Sequence, residues 1–323
     1  MDDIEVTVIV PVLNEEKYIR KCIESLISQS YPREKMEWLF IDGGSTDATL
    51  NICKEYQTSI PLKILHNEKR KTTYALNMGI EKALGEYIIR LDAHAEYSQD
   101  YIEKCVYWLK KTGADNVGGV ATTKSSGYIG DAIATMLSSR FGVGNSSFRV
   151  DEKSGYVDTV PFGAFRKGVF DEVGLFNHDL PRSEDNDLNA RIKAHGGKIW
   201  LSDEIKFTYY CRDNVLDILK MGFKNGNALF QTLKVNPKAM QLRHYVPFLF
   251  FASLIILPIG ICFNKFAKIL LEIELGLYFM LDLLYSFKGK NWKYGIVTVW
   301  LYPLFHWVYG LGSFLSFIGI NII

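Results

Sequence analysis

The run VTVIVPV at residues 6–12 narrows most sharply what this chain can fold into. It is apolar and β-branched with hardly a polar interruption, so it reads as a buried strand rather than one with a wet face. Such a strand needs cover, and the following sequence supplies it by alternation. Glu15–Gln29 carries a helical stripe at Ile19, Ile23, Leu26 and Ile27. Trp38–Ile41 and Thr46–Tyr56 read as strand and helix, as do Leu62–Leu65 and Thr73–Leu84, then Tyr87–Leu91 and Tyr101–Lys111, with Asn116–Ala121 a further strand. This rhythm predicts an α/β fold with a mostly parallel, doubly wound sheet. Ligands of such sheets bind beyond the carboxyl ends of the strands.

That rule gathers three polar segments on one rim. Pro11-Val12-Leu13-Asn14-Glu15 follows the first strand, Asp42-Gly43-Gly44-Ser45-Thr46-Asp47 the second, and Asp92-Ala93-His94 the strand at Tyr87–Leu91. Asp92 and His94 can share a divalent cation. Oxygen and nitrogen ligands suit Mn²⁺ or Mg²⁺, with waters and phosphate oxygens completing the shell. Taken singly, Asp92 also reads as a turn residue and His94 as a hydrogen-bonded loop histidine. Asp42 can accept hydrogen bonds from a nucleobase or ribose, and Gly43 and Gly44 permit close backbone approach. Asp47, near a helix start, reads as structural. In RSEDNDL (182–188), Ser183 reads as an N-cap with acids in the first turn behind it. Glu184 and Asp185 diverge by about 100° on a helix. One can serve as a general base while the other anchors an acceptor hydroxyl, or both only complement the helix dipole. Between these motifs, residues 138–158 lack a period and read as a long functional or mobile loop.

The last third changes character. Tyr245–Phe263 and Tyr294–Ile323 contain no Asp, Glu, Lys or Arg, and each is about long enough to cross a bilayer core. Ile269–Phe287, between them, is apolar but carries Glu272, Glu274 and Asp282, as a protein-facing span or an interfacial helix would. Tyr245, Trp292, Tyr294, Trp307 and Tyr309 crowd the boundaries, where aromatic rings favour the headgroup layer. Val215–Val235 puts Leu216, Leu219, Phe223, Phe230 and Leu233 on a stripe, with Lys220 and Lys224 off it. It reads as an interfacial helix or as one packed on the preceding domain. The expected organisation is a catalytic domain over 1–212, an amphipathic region over 213–243, and two to three transmembrane helices over 244–323. A formal net charge of +1 gives no reason to expect nucleic acid as a partner. The five cysteines form no Cys-x-x-Cys pair, which speaks for reduced thiols in a cytosol-facing domain. The acidic start MDDIEVTVIVPV lacks the basic region of a signal peptide.

PVLNEEKYI, DGGSTD, ALNMGI (75–80), RLDAHA and the Ser-Glu-Asp of RSEDNDL stand in the order and spacing that resemble the inverting family 2 glycosyltransferases, whose fold is the Rossmann-like GT-A type. The resemblance covers roughly residues 4–210. The DAHA variant and RFGVGNSSFR resemble bacterial exopolysaccharide enzymes of the succinoglycan type. The resemblance implies that Pro11, Asn14 and Glu15 line a nucleotide pocket and that Asp42 meets the base. Arg70, Lys71 and Asn77 would approach the donor. Asp92, with His94, would hold Mn²⁺ or Mg²⁺ on the diphosphate. Asp185 would be the catalytic base with Glu184 beside it, and Arg149, Arg212 and Lys224 further phosphate contacts. The chain departs from the family pattern in two places: His94 replaces the second acid of Asp-x-Asp, and Gly43 follows Asp42 where a second acid is usual. No Gln-x-x-Arg-Trp occurs, which implies one sugar added per encounter.

The implied activity is a membrane-bound, metal-dependent inverting hexosyltransferase in exopolysaccharide biosynthesis. Its donor would be a nucleotide sugar, a UDP-sugar, and its acceptor a hydroxyl of a polyprenyl-diphosphate-linked glycan. It would sit among the lipids of a bacterial inner (plasma) membrane with the catalytic domain cytoplasmic, an orientation that Lys265, Lys268, Lys288, Lys290 and Lys293 support. One alternative is a polyprenyl-phosphate sugar synthase, which an intact Asp-x-Asp would favour. Another is a non-catalytic membrane scaffold that binds glycan or nucleotide, against which Asp92 and Asp185 both speak.

Overall fold

The strand at Val6–Val12 (β1) lies inside a nine-stranded sheet, flanked on both sides. The computed structural model describes residues 4–57, 60–150, 153–180 and 182–322. The expectations that fall on Met1–Asp3, on Asp151 and Glu152, and on the Lys290 side chain lie outside the described residues. Met36–Asp42 (β2) pairs with β1 in parallel, Leu62–His66 (β3) continues beyond β2, and Tyr87–Arg90 (β4) takes the other side of β1. These four parallel strands are the expected doubly wound half.

Beyond β4 the pairing reverses. Ala164–Arg166 (β8) runs antiparallel to β4 and to Asn116–Lys124 (β6). Ile199–Tyr210 (β9) follows β6 and carries Ala95–Tyr97 (β5) and Gly155–Tyr156 (β7), both antiparallel to it. The alternation shows β6 of this half, at Asn116–Ala121, while β5, β7 and β8, of two or three residues, have no readable period.

Both faces of the parallel half are covered, which is why its strands read as continuous apolar runs. On one face Val6, Val8, Val10, Trp38, Phe40 and Ile89 pack with Ile19, Ile23 and Leu26 of Ile19–Ile27 (α1). Cys53 of Thr49–Tyr56 (α2) joins the same cluster. On the other face lies Thr72–Lys82 (α3). A Cβ on its Gly79 would stand 2.6 Å from Ile9 Cγ2 and 3.0 Å from Ile41 Cδ1, so glycine is what lets α3 sit directly on the sheet. Tyr101–Thr112 (α4) ends at Gly113, whose φ of 65° gives a left-handed stop. All five cysteines are free thiols.

The chain divides into two compact units: Met1–Thr122, Asp151–Asp179 and Glu184–Tyr210 in the first, and Thr123–Val150, Leu180–Ser183 and Cys211–Ile323 in the second. The second is helical. It contains Gly127–Leu137 (α5), Arg140–Val143 (α6) and Ser147–Val150 (α7), so part of the expected loop is short helices. Val169–Val173 (α8) and Glu184–Ala194 (α9) belong to the first unit. Val215–Val235 (α10), Leu242–Ile261 (α11), Lys265–Ser286 (α12) and Gly295–Phe317 (α13) complete the second.

The face that α10 buries differs from the expected stripe. Leu216 stays 62% exposed, while Ile218, Gly222, Gly226, Asn227, Ala228, Leu229 and Thr232 are buried. A Cβ on Gly226 would come 2.0 Å from the Tyr309 carbonyl, and one on Gly312 would come 2.3 Å from that of Phe223. Small residues thus bring the α10 and α13 backbones together, the packing style of helices in lipid. The Asn227 amide caps this contact by donating to the carbonyls of Gly312 and Ile320.

The sequence expects two apolar spans, but among the described residues only α11 is long and apolar enough to cross a bilayer. The other, α13, buries Leu301, Tyr302, Phe305 and His306 together with its small residues, so much of its apolarity serves packing within the unit. Outward-facing apolar side chains are instead concentrated on α11 and α12, whose only buried residues are Phe251, Asp282 and Ser286.

Candidate functional site

Two turns at the carboxyl ends of β1 and β2 are laced together by side chains. Asn14 adopts φ 56°, which its short amide tolerates. Its backbone N–H donates to Ser45 Oγ at 3.0 Å, and its Oδ1 accepts from Thr46 N at 2.8 Å. Glu15 N donates to Thr49 Oγ1 at 2.7 Å, and Glu16 N to Asp47 Oδ2 at 3.2 Å. Asp47 Oδ1 also accepts from Thr49 N, at 3.0 Å, the structural use its position suggests. The buried Asp42 carboxylate accepts from Gly44 N at 2.9 Å and Ser45 N at 3.0 Å, closing the turn on itself, with Gly44 at φ 81°. Arg70 leans over that turn and donates to the Gly44 carbonyl at 3.4 Å. Lys71 is exposed at the start of α3. Pro11 pairs with Ile41 on β2, whereas β1 pairs with β4 only through Ile9, so its missing N–H costs no ladder bond on that side.

Asn77 faces a different task. Its side chain is buried, donates to the Phe176 carbonyl at 2.8 Å and accepts from Phe176 N at 2.9 Å. It pins the 176–178 segment, whose His178 stacks on Tyr74 with centroids 3.6 Å apart.

The third rim segment is held from below. Tyr97 Oη receives the Asp92 N–H at 2.8 Å and donates to the Asp92 carbonyl at 3.1 Å. Asp92 and His94 point to one place, with Oδ2 and Nε2 3.8 Å apart, and His94 Nδ1 lies 3.1 Å from Glu15 Oε1. These side chains keep about a fifth of their surface open, at 22%, 21% and 22% for Asp92, His94 and Glu15. Among the described residues, no three His, Cys, Asp or Glu side chains are arranged to hold a metal ion by themselves. Asp92 and His94 fit a two-ligand protein share of a hard cation whose other positions go to diphosphate and water.

The sequence reading missed the residue that organises this edge. Arg90, on β4, is buried, and its guanidinium bonds the Asp185 carboxylate directly. It lies 3.3 Å from Glu184 Oε1 and 4.0 Å from Asp92 Oδ1. The signal was available in YIIRL: a cation inside a buried strand must have partners. Burial weakens the Arg90 charge, but Asp185, Glu184 and Asp92 outweigh that and hold it protonated. One guanidinium cannot satisfy three acids. Burial pushes the Asp185 carboxyl up to about 6, against the pull of Arg90 and with help from Glu184 and Asp92.

Glu184 and Asp185 open α9, and Ser183 before them has φ 66°, outside the extended range of an ordinary N-cap. The helix is anchored further along by Arg191, which binds Asp187 at 2.9 Å and the Leu175 carbonyl at 2.9 Å. Arg149 donates to Thr123 Oγ1 at 3.3 Å within the second unit, where Arg212 and Lys224 also lie.

The strand ends thus carry a laced acidic turn and an Asp–His pair, with a crowded carboxylate couple opening α9 beside them. The chain belongs to glycosyl transferase family 2, whose model matches residues 7–174. A dolichyl N-acetyl-alpha-D-glucosaminyl phosphate 3-beta-D-2,3-diacetamido-2,3-dideoxy-beta-D-glucuronosyltransferase of Methanococcus voltae is 30% identical over 329 residues, 98% of this chain and 98% of that one. The succinoglycan biosynthesis protein ExoA of Rhizobium meliloti (strain 1021) is 29% identical over 243 residues, 74% of this chain and 73% of that protein. Among solved structures, the mannosyltransferase PcManGT from Pyrobaculum calidifontis, in complex with GDP-Man and Mn²⁺, is 18% identical with a TM-score of 0.64. The match covers 93% of this chain and 87% of that one, which shows a shared GT-A-like fold.

Proposed function

We propose that this glycosyltransferase moves one sugar per encounter from a nucleoside-diphosphate sugar to a hydroxyl of a lipid-phosphate-linked glycan, with inversion. The carrying observation is Asp185: a carboxyl in the first turn of α9, raised to about 6 by burial, held by Arg90 and joined through it to Asp92. A base of that kind is ionised at neutral pH yet more basic than an ordinary carboxylate. Asp185 accepts the proton of the attacking hydroxyl, Glu184 orients that hydroxyl, and Arg90 keeps the base from swinging away. With a single base on the acceptor side, attack comes opposite the leaving group, which inverts the anomeric carbon. Asp92 and His94 would hold Mn²⁺ or Mg²⁺, and the cation, when bound, neutralises charge on the departing diphosphate. Asn14, Asp42, Arg70 and Lys71 would border the nucleotide, with Pro11 under it. The donor is proposed to be a UDP-sugar.

The acceptor reading draws on the Methanococcus voltae relative, whose name describes transfer onto a sugar already carried by a dolichyl phosphate. It favours transfer to a glycan over transfer to a bare lipid phosphate, and a monophosphate link over the diphosphate expected from the sequence. The apolar outward faces of α11 and α12 support seating in a membrane; the plasma membrane, with residues 1–212 catalytic on its cytoplasmic side, is proposed because nucleotide sugars are cytosolic. The test is nucleotide release by purified membranes, with a panel of UDP- and GDP-sugars and with either bare polyprenyl phosphate or its sugar-linked form. Release should require the sugar-linked form, vanish in EDTA and return with Mn²⁺. Equal turnover on bare polyprenyl phosphate would make the chain a lipid-phosphate sugar synthase, and full activity in EDTA would remove the cation.

A further inference from the structure

Glu15 lies in the segment expected to line the nucleotide pocket, but its carboxylate is directed at His94. Oε1 stands 3.1 Å from His94 Nδ1. A carboxylate oxygen at that distance pairs with the tautomer that carries its proton on Nδ1. In the neutral ring Nε2 then holds the lone pair, and Nε2 is the nitrogen that faces Asp92 Oδ2, at 3.8 Å. Glu15 is itself fixed: its N–H donates to Thr49 Oγ1, and its carbonyl accepts from Tyr18 N at 2.9 Å and Ile19 N at 2.8 Å. The His94 backbone is fixed too, its carbonyl accepting from Tyr210 N at 3.1 Å, and the Tyr209 ring flanks the imidazole at 5.3 Å between centroids.

We propose that Glu15 is the positioning residue that makes His94 a metal ligand: it sets the tautomer, aims Nε2 at the space shared with Asp92, and returns to the site the negative charge that an imidazole lacks. This rests on the cation reading given above. A carboxylate behind a ligating histidine raises the basicity of the ligand nitrogen, and removing such a partner weakens metal binding roughly ten- to hundredfold. Glu15 would therefore affect donor binding through the cation and not through contact with the nucleotide.

The experiment is Mn²⁺ titration of the purified full-length protein in the presence of UDP, read by the electron paramagnetic resonance of free Mn²⁺. The wild type should bind and Asp92→Asn should not. Glu15→Gln should bind roughly ten- to hundredfold more weakly than wild type, while its UDP affinity in EDTA stays unchanged. In a His94→Asp background the second ligand no longer needs a tautomer set, and Glu15 would face a like charge. There, adding Glu15→Gln should not weaken Mn²⁺ binding further. Wild-type protein that binds no Mn²⁺, or Asp92→Asn that binds as the wild type does, would overturn the cation reading and this proposal with it. Binding lost in Asp92→Asn but undiminished in Glu15→Gln would overturn the role of Glu15 alone. So would an equal loss on Glu15→Gln in both backgrounds, or a loss of UDP affinity in EDTA, either of which would make Glu15 a general electrostatic or nucleotide contact.

Discussion

Asp42 and Asp185 are carboxylates at the edge of one sheet, and they differ in what neutralises them. Asp42 is buried and answered by backbone N–H groups of its own turn, at 2.9 Å and 3.0 Å. Those donors are fixed by the chain and ask nothing of a ligand. Asp185 shares one guanidinium with Glu184 and Asp92, and burial leaves it near 6. A satisfied acid shapes a turn, whereas an acid in a group with more negative charges than positive ones takes up a proton readily. On the proposed function, this difference puts the base at the β4–α9 edge and the turn that borders the nucleotide at β2, although both motifs look alike as sequence.

Substitutions can break or sharpen that contrast. Asp185→Asn should fold and bind donor with its transfer rate down by about 10²–10⁴-fold, the usual worth of a general base, as measured by single-turnover transfer beside a donor-binding titration. Arg90→Met leaves three acids without their cation and should lower stability by about 3 kcal/mol in thermal or denaturant unfolding. Arg90→Lys should recover only part of it, since one ammonium cannot offer separate nitrogens to Asp185 and Glu184. Asp42→Ala removes the acceptor of two backbone N–H groups and should cost about 2 kcal/mol of stability, with its kinetic loss in KM for the donor and not in kcat. Asp47→Ala should cost about 1 kcal/mol and leave kcat unchanged. A fall in kcat on Asp47→Ala as large as that on Asp185→Asn would erase the distinction between the two regions.

The parallel half of the fold was legible because each strand there is buried on both faces and each covering helix has a clean stripe. Of the antiparallel half β6 was legible, as Asn116–Ala121, while β5, β7 and β8 span only three, two and three residues. The rim was legible for the same reason as the parallel strands: once their order is known, whatever follows them shares an edge. The partners of each rim residue were hidden. Nothing in ALNMGI says that Asn77 binds the Phe176 backbone, 99 positions away. Nothing local ties Glu15 to His94, or Arg90 to Asp185. Arg90 itself was visible as a charge in an apolar strand, and the rule that such charges are paired would have found it. On α10 the large apolar residues drew the eye, but the buried face is built on Gly222, Gly226 and Asn227, which hydropathy ranks as neutral or polar.

The pH dependence of transfer measures the central claim most directly, that a crowded, partly neutralised Asp185 is the base. The base works ionised, so kcat/KM should fall about tenfold per pH unit below about 6 and level off above it. Glu184→Gln removes a negative neighbour that helps hold the proton on, so it should move that limb to lower pH, while Asp47→Asn should leave it in place. A profile flat from about pH 4.5 to 7.5, or a limb that Glu184→Gln does not move, would contradict the assignment.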